Sequence, residues 1–482
     1  MPLRDRLSPR TDAVLIGLLA FALSVAAAGR PSLWADESAT ISAATLPVGD
    51  LRNLLGHVDA VHGLYYLLLH GWFTVFPVGE FWARVPSALM VGVAAAGACV
   101  LGTRMSGRRV GIAAGVVFAV LPRTTWAGLE ARPYALSIAC AVWLTVLALT
   151  AMRRGGWRRW VGYAAVLTVA AAVNVLVLLI LAAHAAMLAA LRADRATLRS
   201  WAVATGAALV LVSPVIAVIV AQQDQVAWIW PVGPVTAGQI AGEQYFPSVY
   251  SDSVRAVGPD QQQFGAEELK VAVRAWARVA PLIMVIAAVC ALAVRARRRR
   301  GASDRVLVWT CAAWIVVPTL ALVGYSLVAR PLYQPHYLAF TTPAVALLVG
   351  LCAATVGRDT RRLTVVLAII AVAAAPNYVA QRGPYAKFGS DYSQVAALLA
   401  ERGGEGECVR VHGTPSAPTA LAGARRTHGD ALRLVGADAV DGCAVLWTVT
   451  DAGTPAAVPG FAATEVWRFN QTQVARSVRD RS

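Results

Sequence analysis

The feature that most constrains this chain is the blocking of its apolar residues into runs of about 17 to 23, the length a helix needs to cross roughly 30 Å of hydrocarbon. A single buried core could not use so many runs of that length. Of 482 residues, 57% are hydrophobic and only 15% charged, against about 25% charged in an average soluble domain. The sequence therefore predicts an all-α polytopic membrane protein.

A formal charge of +16 would suit nucleic acid if the arginines shared one face. They fall instead between the apolar runs, at Arg4/Arg6/Arg10, Arg104/Arg108/Arg109, Arg153/Arg154/Arg158/Arg159, Arg192/Arg195/Arg199, Arg295 with Arg297 to Arg300, and Arg358/Arg361/Arg362. By the positive-inside rule each cluster marks a cytoplasmic loop, and no nucleic-acid partner is expected. Spans are then predicted at 12–29, 86–103, 109–122, 132–152, 159–173, 175–192, 201–221, 272–294, 306–328, 337–357 and 363–380. About 11 transmembrane helices put the N-terminus in the cytoplasm and the C-terminus outside the cell membrane. The first run ends in Val25-Ala-Ala-Ala-Gly29, which imitates a signal-peptide cleavage site. It is read as a retained span.

Parity makes a demand on the apolar stretch 62–78, HGLYYLLLHGWFTVFPV, which must begin and end on the outer side. It is expected to lie along that surface as a juxtamembrane helix, where amphipathic rings prefer to sit. Residues 1–380 form the membrane domain, with outer loops at 30–85 and 222–270. The second loop carries Trp228, Trp230, Glu243, Tyr245 and the run Gln261 to Gln263, and is either functional or disordered. The two short spans flanking Asn174 could stop partway and leave a cavity. Residues 381–482 read as a small extracytoplasmic α/β appendage, with an amphipathic helix over Asp391–Arg402 and strands over Glu407–His412 and Ala444–Val449. Cys408 and Cys443 lie in it, where a disulfide could form. Cys99, Cys140, Cys290, Cys311 and Cys352 sit in or beside apolar runs and suggest no metal site.

The candidate chemistry lies in three outer segments. Trp34-Ala-Asp36-Glu37-Ser38 puts two acids just beyond the first span, where a carboxylate could deprotonate an acceptor hydroxyl. The alternative is a pair of acids in a helix first turn. Glu130-Ala-Arg132-Pro-Tyr134 places an arginine against the positive-inside pattern, able to bind a phosphate or simply to pair with Glu130. Arg330-Pro-Leu-Tyr333-Gln-Pro-His336-Tyr337 offers a cation, a phenol and an imidazole, suited to a phosphate-sugar headgroup or to an interfacial proline-rich loop. His62 and His70 are not at a recognised metal spacing. Parity puts all three segments on one membrane face.

In order, these residues resemble the GT-C glycosyltransferases of the dolichyl-phosphate-mannose protein mannosyltransferase type (glycosyltransferase family 39). Asp36-Glu37 resembles the acidic pair of the family's first external loop, and His62-Gly-Leu-Tyr-Tyr-Leu-Leu-Leu-His70 its H-P-P-L-Y-Y-L-L-L helix. Phe81-Trp-Ala-Arg84-Val-Pro86-Ser87 resembles its F-x-x-R-x-P-S segment, and Glu130 to Tyr134 its E-A-R-x-Y loop. Gly63 departs from the first proline of H-P-P, and His336-Tyr337 stands where the family has R-Y. The resemblance implies a GT-C fold and an inverting enzyme that passes a sugar, mannose or arabinose foremost, from a polyprenyl-phosphate donor to an acceptor hydroxyl on a glycan, lipid or protein. It implies Asp36 as general base with Glu37 supporting it. Glu130, Arg132, Tyr134, His62, Tyr65, Arg330, Tyr333 and His336 would form the donor site, with no metal and no cofactor beyond the lipid-linked sugar. The rival readings are a non-catalytic binder or transporter of lipid-linked sugar, with Asn174 and His184 as its intramembrane polar groups, and a ligase moving a whole glycan from a diphosphate lipid.

Overall fold

The computed structural model describes residues 8–247, 302–413, 416–429, 431–436, 439–440, 442–454 and 457–480. The expected span 272–294, Gln261 to Gln263, Cys290 and the cluster Arg295 to Arg300 lie outside the described residues. The membrane-domain helices are α1 (Pro9–Val25), α2 (Ala35–Ala44), α3 (Val48–His57), α4 (Gly63–Phe73), α5 (Glu80–Ser106), α6 (Arg108–Val120), α7 (Pro122–Ala127), α8 (Tyr134–Arg154), α9 (Trp157–Val173), α10 (Leu181–Leu191), α11 (Arg195–Ala221), α12 (Ala302–Val328), α13 (Thr342–Val356) and α14 (Thr360–Ala380).

Among the described residues, six helical segments are long and apolar enough to cross a membrane: Glu80–Ser106, Tyr134–Arg154, Arg195–Ala221, Asp304–Val328, Pro335–Val356 and Thr360–Ala380. The chain is a multi-pass membrane protein. The other expected spans in the described part are helical but shorter. The 13 residues of α6 stop at Leu121, whose extended backbone precedes Pro122. The 17 residues of α9 stop at Asn174, whose side chain caps the 3-10 turn Val175–Ile180 by accepting from the Leu176 N–H. That asparagine is a helix cap.

Tight turns at Gly107, Gly155–Gly156, Arg192–Asp194 and Gly357–Asp359 reverse the chain at one end of the bundle. The clusters Arg104/Arg108/Arg109, Arg153/Arg154/Arg158/Arg159, Arg192/Arg195/Arg199 and Arg358/Arg361/Arg362 sit at these turns, and Arg108 pairs with Asp12 near the start of α1 at 2.6 Å. Small residues let the helices approach closely, as membrane packing requires. A Cβ on Gly92 of α5 would stand 2.8 Å from the Gly17 carbonyl oxygen of α1, so neither glycine can be replaced without moving a helix.

The opposite end carries α2, α3 and α4. The 11 residues of α4 rise about 16 Å, half a bilayer, so the stretch 62–78 does not cross. Leu64, Leu67 and Leu68 are exposed along one side, while Tyr65, Tyr66 and Leu69 are buried against α2 and its neighbours.

Beyond α14 come α15 (Tyr392–Arg402) and α16 (Ala417–His428), with β1 (Cys408–Val411), β2 (Arg433–Leu434), β3 (Val445–Asp451), β4 (Phe461–Arg468) and β5 (Thr472–Arg479). The sheet order is β2-β1-β3-β5-β4, parallel around β1 and antiparallel around β5. Cys408 at the start of β1 is disulfide-bonded to Cys443. This appendage does not hang free. Leu33, Ile41, Ala83 and Ala131 of the membrane domain share one core with Val395, Leu421 and Trp447.

Candidate active site

The site assembles where α1 ends and α5 and α8 begin. Glu37, in the first turn of α2, is fully buried. The Arg84 guanidinium of α5 donates to both its oxygens at 2.8 and 2.6 Å, and the Ala131 N–H donates at 2.9 Å. Burial pushes the Glu37 carboxyl up, but Arg84, Lys387 and these hydrogen bonds together outweigh it and hold the group ionised. Arg84 also donates to the carbonyls of Ala28, Pro31 and Ser32, so it pins the whole turn between α1 and α2. Glu37 is thus fully occupied in fixing backbone.

Asp36 is placed differently. Its side chain keeps 35% of its surface accessible. Crowding by protein raises its carboxyl above the usual range, against the opposing pull of Arg132. The Arg132 Nη2 stands 3.4 Å from Asp36 Oδ2 and donates at 2.8 Å to His62 Nε2, while Nη1 donates to Thr40 Oγ1 at 3.2 Å. Because guanidinium only donates, the His62 proton belongs on Nδ1. Burial and the neighbouring Arg132 hold that ring well below the usual imidazole range, so it is neutral. Among the described residues, Arg132 Nε, His62 Nδ1 and the Tyr134 hydroxyl are buried here without a hydrogen-bond partner. Buried donors are rarely left unmatched, and such a set is suited to a polar ligand.

Glu130 is fully buried, accepting from Trp34 Nε1 at 2.9 Å and from Lys387 Nζ. Burial pushes the Glu130 carboxyl up and the Lys387 amine down, each opposed by the other's charge. This pair ties the Glu130–Tyr134 loop to the segment after α14.

Comparison with known proteins adds the fold. No family model and no curated protein matches the sequence. Among solved structures, ArnT from Cupriavidus metallidurans bound to undecaprenyl phosphate superposes with a TM-score of 0.56 at 14% identity, covering 96% of this chain and 97% of that one. The oligosaccharyltransferase of Archaeoglobus fulgidus in its apo form superposes at 0.52 and 13% identity, covering 90% of this chain and 65% of that one. The AglB oligosaccharyltransferase of the same organism, in complex with an inhibitory peptide and a dolichol-phosphate, gives 0.51 at 12% identity. The chain has the GT-C fold.

Within this GT-C frame the sequence-derived residues separate. Asp36, Glu37, Glu130, Arg132, Tyr134 and His62 converge. Tyr65 is adjacent but faces inward, its hydroxyl 3.3 Å from Ser87 Oγ beneath the Arg132 backbone. His336 packs among aromatic rings, 5.3 Å from Tyr134, 5.9 Å from Trp126 and 4.8 Å from Tyr337 between centroids. Both terminal nitrogens of Arg330 lie 3.5 Å from Asp224, in the turn that holds the Asp59–Ala60 backbone through Gln222 and Gln225. Tyr333 is buried, donating to Gln244 Oε1 at 3.2 Å. His70 is held by the Ala44 carbonyl at 3.0 Å. Among the described residues no cluster of three or more His, Cys, Asp or Glu side chains is gathered as a metal site.

Reading the sequence missed Lys387, Trp34 as a partner of Glu130, and Arg84 as the clamp on Glu37. One signal for Lys387 was present. Of 43 basic residues only Lys270 and Lys387 are lysines.

Proposed function

We propose that this protein is an inverting glycosyltransferase that moves a sugar, mannose or arabinose foremost, from a polyprenyl-phosphate donor to an acceptor hydroxyl at the outer face of a cell membrane. The observation that carries this reading is the asymmetry of the two acids. Glu37 is saturated by Arg84 and Ala131, whereas Asp36 is accessible, raised in pKa and beside an arginine whose Nε is unmatched. In the reaction Asp36 takes the acceptor proton as the acceptor oxygen bonds to the anomeric carbon. The bond from that carbon to the phosphate oxygen breaks, and polyprenyl phosphate leaves with the electron pair. Arg132 Nε and the Tyr134 hydroxyl are suited to hold the leaving phosphate, whose charge fixed donors stabilise without a metal.

The structural neighbours support the donor class. One was captured with undecaprenyl phosphate and another with a dolichol-phosphate. The transporter reading loses its polar intramembrane groups, because His184 is matched by the Tyr163 hydroxyl at 2.9 Å and Thr145 Oγ1 at 3.2 Å, and Asn174 is a cap. The test is turnover of radiolabelled polyprenyl-phosphate mannose and arabinose by purified protein with cell-envelope acceptors. Transfer from either supports the reading, and failure with every lipid-phosphate sugar in the presence of active acceptor overturns it.

A further inference from the structure

Arg123 lies in α7, the short helix after the Leu121–Pro122 break, and is 1% exposed. A buried guanidinium ordinarily sits on a carboxylate. Here, among the described residues, none is within ion-pair distance. Its Nε donates to the Gln244 carbonyl at 2.8 Å and its Nη2 to the Glu243 carbonyl, which leaves Nη1 without a hydrogen-bond partner among the described residues. The guanidinium lies over the Trp126 ring, 4.6 Å from its centroid. Trp126 in turn contacts Tyr134 at 5.3 Å and His336 at 5.9 Å between ring centroids. Tyr134 carries one of the unmatched hydroxyls and is two residues from Arg132. Arg123 therefore stands along the same aromatic wall as the candidate phosphate ligands.

Of the groups that the sequence offers for a second phosphate contact, Arg330 is paired with Asp224 and His336 is packed in the aromatic stack. We propose that Arg123 supplies that contact, its free Nη1 donating to a phosphate oxygen of the lipid carrier. This rests on the polyprenyl-phosphate reading above. Burial pushes the guanidinium down to about 10, opposed foremost by the charge of Glu243. The two backbone carbonyls orient the guanidinium so that one edge of its planar fork stays available, a geometry that lysine cannot reproduce.

The experiment measures binding of undecaprenyl phosphate and undecaprenyl diphosphate to the purified full-length protein in detergent, by ligand-dependent rise in melting temperature and by titration. Wild type, Arg123→Gln, Arg123→Lys and Arg402→Gln are compared, the last at the exposed end of α15. The expected result is about tenfold or greater weakening in R123Q for at least one lipid, lesser weakening in R123K, and wild-type affinity in R402Q. The lipid that shows the loss tells whether a mono- or a diphosphate is held. Wild-type affinity of R123Q for both lipids overturns the proposal and leaves the transfer reading standing. Absence of binding by wild type sinks both. Should R123Q not fold, R123K still decides: it keeps a cation for the two carbonyls but lacks the second nitrogen, and wild-type affinity there contradicts the role of Nη1.

Discussion

Replacing Lys387 by methionine keeps the length of the side chain and removes its charge, which isolates the buried Glu130 carboxylate. In the native protein the two side chains are 2% and 0% exposed. Glu130 then retains one hydrogen bond, from Trp34 Nε1 at 2.9 Å. Breaking a buried pair from one side costs about 3–5 kcal/mol, because the remaining charge has neither solvent nor partner. The similar volume of methionine keeps the cavity contribution small. Removing Glu130's charge as well, in Lys387→Met/Glu130→Gln, should restore most of the loss.

The pH dependence has a definite sign. Burial already raises the folded-state pKa of Glu130 above its unfolded value, and loss of Lys387 raises it further. Such a group favours folding while protonated and loses that contribution as pH rises through the folded pKa, so the K387M penalty is greatest at high pH and shrinks as pH falls. Melting curves of wild type, both single variants and the double variant at about pH 5 and about pH 9 measure this directly. Equal stability of K387M and wild type at high pH would refute the reasoning, as would a penalty that grows on acidification.

Three other outcomes follow from the same structure. A Cβ on Gly423 of α16 would lie 2.4 Å from Ser38 Cα, so Gly423→Leu should force the appendage off the helix that carries Asp36 and lower both melting temperature and transfer, whereas the exposed Val466→Thr in β4 should change neither. Breaking the Cys408–Cys443 disulfide, whose partners are 35 residues apart, should cost about 3–4 kcal/mol by the loop-entropy estimate, read as a lower melting temperature in reductant. The acid limb of the pH profile of kcat/KM should lie above the usual aspartate range, because Asp36 must be ionised to accept a proton and its pKa is raised. Activity should fall as pH drops through that value.

What could be read from the sequence was what periodicity and charge encode. The apolar runs located the helices because membrane spans need continuous hydrocarbon-facing surface, and parity found α4 because the arginine turns alternate with the helices. Asp36 and Glu37 stood out as acids just beyond the first span, and Arg132 as an arginine against the positive-inside pattern. What lay hidden was pairing. Arg84 reaches Glu37 across 47 residues and Lys387 reaches Glu130 across 257, and no local pattern reports contacts at such separation. The partner of Arg330, Asp224, is likewise 106 residues away in sequence. In the appendage α16, β2, β4 and β5 escaped notice; β4, for one, is largely exposed and carries little of the alternation that marks a half-buried strand.

The central claim is that Asp36 is the base and Glu37 and Arg132 hold the site around it. The direct measurement is transfer from radiolabelled polyprenyl-phosphate sugar by wild type and Asp36→Asn, with binding of undecaprenyl phosphate measured on the same preparations. The predicted result is a loss of transfer of about 10²-fold or more in D36N while the lipid phosphate still binds. Transfer by D36N at the wild-type rate would contradict it.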